Sequence, residues 1–181
     1  MSSPADIDTK VGNHMQAIID YQHLAGDLPR ALSAVSARLP GDGFPRLLRI
    51  LIDLRASQLN GCRFCQDLHT KEAIAEGESI VRIQALAAWR SHDRFTPAER
   101  AALNWTEMLT RGEPDERKRD DALALLYPHF AEHAICRLTF AIAIINAWNR
   151  VGVAFYRHGQ TNPDSGQHLH LSDGGRPRSL K

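Results

Sequence analysis

The sequence predicts an all-α fold, on three observations. Apolar residues recur at helical spacing through most of the chain. Glycine and proline fall between those runs rather than within them. No alternating strand pattern bounded by hairpin turns appears, and no internal repeat is seen.

Taken in order, His14 to Ala25 reads as a short amphipathic helix ending at Gly26, and Pro29 to Ala37 as a second, broken by Pro40-Gly41-Asp42-Gly43. From Pro45, the run Leu47, Leu48, Ile50, Leu51, Ile52 and Leu54 is apolar almost all round, as in a buried helix. Asn60-Gly61 ends it, because glycine accepts the left-handed conformation of a helix C-terminus. A new helix opens near Cys62 and runs to Glu76, stopping at Gly77, and another follows from Glu78 or Ser79 to about Arg90. In Thr96-Pro97-Ala98-Glu99, threonine at the N-cap, proline at N1 and glutamate at N3 predict a capping box and a helix to about Thr110. Gly112, Glu113 and Pro114 break the chain. Asp115 to Leu126 is a further helix, closed by Tyr127-Pro128, and a long apolar one spans about Ala131 to Arg157.

Composition bounds the function. A chain of 181 residues, 43% hydrophobic, suits one domain, taken as residues 1–158, with residues 159–181 read from their Gly, Pro, Ser, Asp and His content as a mobile tail. His168 and His170 in that tail read as solvated. A net charge of +1 provides no footprint for nucleic acid or an anionic membrane, and Arg117-Lys118-Arg119, followed by Asp120 and Asp121, reads as a solvated helix surface. No stretch is read as reaching the roughly 20 apolar residues that span a bilayer, and no secretory signal is visible. Three cysteines, two of them in one Cys-x2-Cys, point to a reducing compartment and a functional dithiol; cytoplasm is the expected location.

The chemistry concentrates in Asn60-Gly61-Cys62-Arg63-Phe64-Cys65-Gln66-Asp67-Leu68-His69. On a helix, Cys62, Cys65 and His69 share one face, so Cys65 can meet a sulfur on one side and an imidazole on the other. A free thiol titrates at about 8.5 and needs help to form thiolate. The first turn of a helix favours negative charge, and His69 is placed to take a proton from Cys65. Adjacency therefore assigns Cys65 as the thiol that His69 activates and Cys62 as its redox partner. The helix dipole favours Cys62 instead, which is nearer the N-terminus and expected to be more exposed; the order of attack stays open. An oxidant such as a hydroperoxide would make a sulfenic acid on one sulfur, the other would close a disulfide, and an outside dithiol would reduce it.

Competing readings are weaker. Structural zinc needs four ligands, and Cys-x2-Cys-x3-His offers three. Thioredoxin-type chemistry expects a βαβ context. A chance alignment of two buried cysteines and a histidine is the plainest alternative. No metal and no cofactor are expected.

Three stretches resemble the alkylhydroperoxidase D (AhpD)-like branch of the carboxymuconolactone decarboxylase family. They are Leu54 to Ala73 around the Cys-x2-Cys-x3-His run, Ile145-Asn146-Ala147-Trp148-Asn149-Arg150, and Phe95-Thr96-Pro97-Ala98-Glu99-Arg100. The similarity covers about residues 44–157. It implies an all-helical fold assembled as trimers or hexamers. It also implies peroxide reduction through Cys62 and Cys65 with His69 as proton relay, Cys65 meeting the peroxide, and electrons from a lipoylated partner protein. Family members usually carry a glutamate twelve residues before the first cysteine; here that position is Ile50. Glu107 or Glu72 would have to substitute, although Glu72 reads as an exposed helix residue and Glu107 as a surface or interface group. The decarboxylase branch lacks the cysteine pair and fits poorly.

Trp148 and Asn149 read as packing and hydrogen-bonding residues, Arg150 as a candidate for an interface ion pair, Cys136 as a buried inert thiol, and His129 and His133 as helix-surface residues. The apolar helices around Leu47–Leu54 and Ala141–Phe155 look too numerous for one small core, which predicts a homo-oligomer. The expected function is a thiol peroxidase acting on organic or hydrogen peroxide. The rivals are a non-catalytic redox-responsive or interaction protein, suggested by Ile50, and a general disulfide reductase.

Overall fold

A computed structural model of the chain describes residues 15–39, 44–112 and 115–158. The expected break at Pro40–Gly43, the Glu113-Pro114 part of the next break, and the tail from residue 159 with His168 and His170 lie outside the described residues. Among the described residues eight α-helices dominate: α1 (Tyr21–Leu24), α2 (Asp27–Ala37), α3 (Arg46–Leu59), α4 (Arg63–Ala75), α5 (Ile80–Ala85), α6 (Pro97–Arg111), α7 (Glu116–Leu126) and α8 (Glu132–Phe155).

Local chemistry sets most of the boundaries. Thr96 Oγ1 accepts from the Glu99 amide while the Glu99 carboxylate accepts from the Thr96 amide, so the capping box opens α6 as predicted. Ser79 and Asp115 cap α5 and α7 in the same way with one side chain each. Gly61, with φ of 67°, turns the chain between α3 and α4.

Helix α3 is the axis of the domain. One side of it, Leu48 and Ile52, packs with Ala102 and Trp105 of α6, Leu126 and Leu138. The opposite side, Ile50, Leu51 and Leu54, packs with Ala73, Leu86, Trp89 and Leu103. Both faces of α3 are thus consumed within one chain. The Leu47–Leu54 half of the oligomer argument therefore fails; α8 does turn Phe140 and Val153 outward, and other exposed apolar side chains are spread over the surface, among them Leu28, Val35, Ile80 and Leu125.

Four further expectations need correction. Residues 14–25 do not form one helix: Met15–Ala17 is a strand, β1, which pairs antiparallel with β2 (Tyr156–His158), and only the single turn α1 follows. The helix placed at Pro29 starts earlier, at Asp27. The helix expected to reach Arg90 stops at Ala85 and continues as a 3-10 segment, Leu86–Ser91, kinked at Ala88. Finally, α8 has 24 residues and is, by length and composition alone, apolar enough to cross a bilayer, which the sequence reading had denied. In this fold α8 carries Leu138, Ala141, Ile142 and Ile145 into the core.

Candidate active site

The site forms where α3 ends, the chain turns at Gly61, and α4 begins. Cys62 is the N-cap of α4: its sulfur accepts from the Cys65 amide at 3.3 Å. Cys65 lies in the first turn, and the two sulfurs are joined in a disulfide with the Cα atoms 5.4 Å apart. Both are buried, Cys62 1% and Cys65 4% exposed, so the expectation that Cys62 would be the more accessible thiol is not met.

A polar frame fixes this turn against α8. The Cys62 amide and the Gln66 side chain both donate to the Ser57 carbonyl, at 3.1 and 3.3 Å. The Ser57 hydroxyl donates to the Asp53 carbonyl at 2.7 Å and accepts from Asn149 Nδ2 at 2.9 Å. Asn60 in turn donates to the Asn149 and Asn146 side-chain oxygens. Ser57 and Asn149 have no exposure at all, so each needs these bonds. Asn149 is the hydrogen-bonding residue the sequence suggested, and Trp148 likewise donates to Ser36 at 3.1 Å.

Gly152 of α8 completes the pocket wall. A Cβ on it would lie 2.5 Å from the Cys62 sulfur and 3.1 Å from the Cys65 sulfur, so only a glycine lets α8 approach the disulfide this closely.

His69, a helical turn beyond Cys65, is buried, and its Nδ1 donates to Glu72 Oε2 at 2.7 Å. That bond holds the ring and leaves Nε2 as the nitrogen free to exchange a proton. Burial by itself would depress the imidazole pKa. The Glu72 hydrogen bond and the charges of Asp53 and Glu72 outweigh it, and the net shift is upward. Glu72 is held below the ordinary carboxylate range, its desolvation more than offset by His69 and by Arg46 and Arg49. Asp53, buried in α3, moves the other way: desolvation raises it despite Arg49, whose Nε donates to both carboxylate oxygens at 2.7–2.8 Å.

The three predicted residues thus lie at the start of and along α4, and of the two candidate acids Glu72 is the one bonded to His69; it is partly buried rather than fully exposed. Glu107 is neither at the site nor on the surface. It is 1% exposed, held by Arg55, Trp89, Arg90 and Arg111. Ile50 is plain core, 3% exposed. Cys136 is exposed rather than buried. His129, His133 and Arg150 lie exposed, as do Arg117, Lys118 and Arg119. Sequence reasoning missed Asp53, Arg49, Ser57 and Gly152. A signal for the first two existed: an Arg–Asp pair at i,i+4 inside the otherwise apolar run Leu47–Leu54. Among the described residues, no group of three or more His, Cys, Asp or Glu is arranged to hold a metal ion.

The sequence profile of the carboxymuconolactone decarboxylase family matches residues 26–108. The uncharacterised protein YdfG of Bacillus subtilis is 34% identical over 140 residues, which is 77% of this chain and 95% of that one. A solved structure of a protein of unknown function from Agrobacterium tumefaciens, provisionally named the antioxidant defence protein AhpD, is 35% identical. It superposes with a TM-score of 0.72 over 77% of this chain and 95% of that chain. The debrominase Bmp8, 22% identical with a TM-score of 0.62 over 74% of this chain and 71% of its own, shares the fold.

Proposed function

We propose, from the premise that the chain belongs to the carboxymuconolactone decarboxylase family and to its AhpD-like branch, that it is a thiol peroxidase working through a Cys62–Cys65 dithiol/disulfide cycle. The observation that carries this reading is the disulfide at the first turn of α4, followed on the same helix by a histidine locked to a carboxylate.

In the reduced enzyme the Cys65 thiolate attacks one peroxide oxygen of ROOH. The O–O bond breaks, Cys65 becomes a sulfenic acid, and the departing alkoxide takes a proton from the His69 imidazolium to leave as ROH. Cys62 thiolate then attacks the Cys65 sulfur and expels hydroxide, which leaves as water once protonated. An external dithiol reduces the disulfide by thiol exchange, and the leaving thiolate is protonated as it departs. The sum is ROOH plus a dithiol giving ROH, water and a disulfide. Glu72 would supply the function of the family glutamate whose place Ile50 occupies, holding the His69 ring and shifting its pKa upward. That removes the main motive for a non-catalytic reading. The buried sulfurs favour a small oxidant over protein disulfides.

The reductant fits a lipoylated protein in a reducing compartment such as the cytoplasm. Copies would associate through the outward apolar side chains of α8, and a sedimentation mass equal to one chain would sink that part. The decisive measurement is consumption of cumene hydroperoxide with a dithiol reductant. Wild type should turn over and Cys65→Ser should fall to background; equal rates in the two overturn the enzyme reading.

A further inference from the structure

The sulfurs are nearly sealed, and the end of α8 that runs beside them is tied to both Phe64 and the first described residues of the chain. Gly152 touches the disulfide from α8. At the end of that helix Tyr156 lies flat on Phe64, the residue just before Cys65, with ring centroids 4.0 Å apart and planes 9° from parallel. Tyr156 sits in β2, which is zipped to β1 with Ala17 opposite Tyr156, and the Ile18 amide donates to the Phe155 carbonyl at 2.7 Å. Tyr21 packs on Phe155 at 5.1 Å and edge-on to Tyr156 at 6.2 Å. A strap of residues 15–24 thus holds down the end of α8, and the end of α8 holds Phe64.

Thiol–disulfide exchange proceeds through a mixed disulfide, so a third sulfur and its chain must fit against Cys62 or Cys65. The closed arrangement leaves little room for one. We propose that Tyr156, stacked on Phe64 and anchored by the β1 strap, is the specificity-determining residue of this site. It admits slender reactants, such as hydrogen peroxide and unbranched dithiols, and turns away bulky ones. The proposal rests on the dithiol being the reacting group, as in the function above, but not on peroxide being its oxidant. An aromatic pair contributes modestly beyond its area, and the strap's contacts are few, so the cover opens locally at a cost below global unfolding.

The test follows reduction of the Cys62–Cys65 disulfide in a Cys136→Ser background, with dithiothreitol as slender reductant and reduced thioredoxin as bulky one. Wild type should strongly favour dithiothreitol. Tyr156→Ala should raise the thioredoxin-to-dithiothreitol rate ratio about five- to tenfold, the factor that loss of one stacked pair makes in an opening equilibrium. Tyr156→Phe, which keeps the ring, should retain the wild-type ratio. Tyr156→Leu serves if the alanine variant does not fold, and should shift the ratio in the same direction. An unchanged ratio in a folded Ala or Leu variant, or equal acceleration of both reductants, overturns the proposal. Since no peroxide is used, absent peroxidase activity in wild type would be a separate result and would leave this ratio intact.

Discussion

Two buried carboxylate clusters sit on either side of α3, and they behave oppositely. Around Glu107, three guanidiniums and the Trp89 N–H converge on one carboxyl. Although desolvation opposes ionisation, bonds from Arg90, Trp89 and Arg55 hold its pKa down to about 2. Around His69, Asp53 and Glu72 face Arg49, one imidazole and, further out, Arg46, which is itself paired with Glu76, and the shifts go upward for both Asp53 and His69. The balance of permanent cations against carboxylates is what differs between the two places. With cations in excess the acid is frozen in its charged form, which suits a structural cross-link between α3, the 3-10 segment and α6. With acids in excess, the imidazole is the group that balances the charge, and its pKa is shifted upward.

The largest effect that would break this comparison is on stability. Glu107→Ala strands the buried Arg55 and should cost about 3–5 kcal/mol, read as a lower denaturant midpoint. A loss below about 1 kcal/mol would show the cluster to be ornamental. The sign with pH follows from the depressed pKa. The Glu107 contribution is fully present above its unfolded value of 4.5 and fades as pH falls toward 2, an effect on the order of 3 kcal/mol.

Next comes His69→Asn, which should lower the rate constant for peroxide about 100-fold while moving stability little. A variant that unfolds instead, with its rate per folded molecule unchanged, would make His69 a second structural cross-link. The smallest effect is Glu72→Gln, with an imidazole NMR titration as the readout. The His69 pKa should drop from its raised position, because the negative charge that opposes the effect of its burial is gone while the amide oxygen can still accept the Nδ1 hydrogen. In wild type the stabilisation from this pair is complete below 6.5 and is lost as pH rises through the raised folded value. The variant should lose that slope, and an unmoved midpoint would remove Glu72 from the relay.

Where a boundary is set by neighbours in sequence, it could be read directly: the Thr96–Glu99 box and the turns at Gly61 and Gly112. The helical face bearing Cys62, Cys65 and His69 was legible for the same reason, since spacings of three and four depend only on helix geometry. What escaped depends on distant partners. Residues 15–17 become a strand only because residues 156–158 come alongside. Glu107 looks like any polar helix residue until Arg55 from α3 and Arg90 from the 3-10 segment arrive. Cys136 sits in an apolar stretch, yet helix phase turns it outward. Glu72, three residues after His69, was within reach of the same helix-spacing argument, whereas the engagement of Glu107 with Arg55 and Arg90 could be seen only in three dimensions.

The contrast between the exposed Cys136 and the two bridged sulfurs gives the protein an internal reference for its own oxidation state. An alkylating tag added to the denatured oxidised chain finds one thiol, and after full reduction it finds three. Intact-mass counting can therefore follow the redox titration of native samples, with the Cys136 adduct calibrating every spectrum.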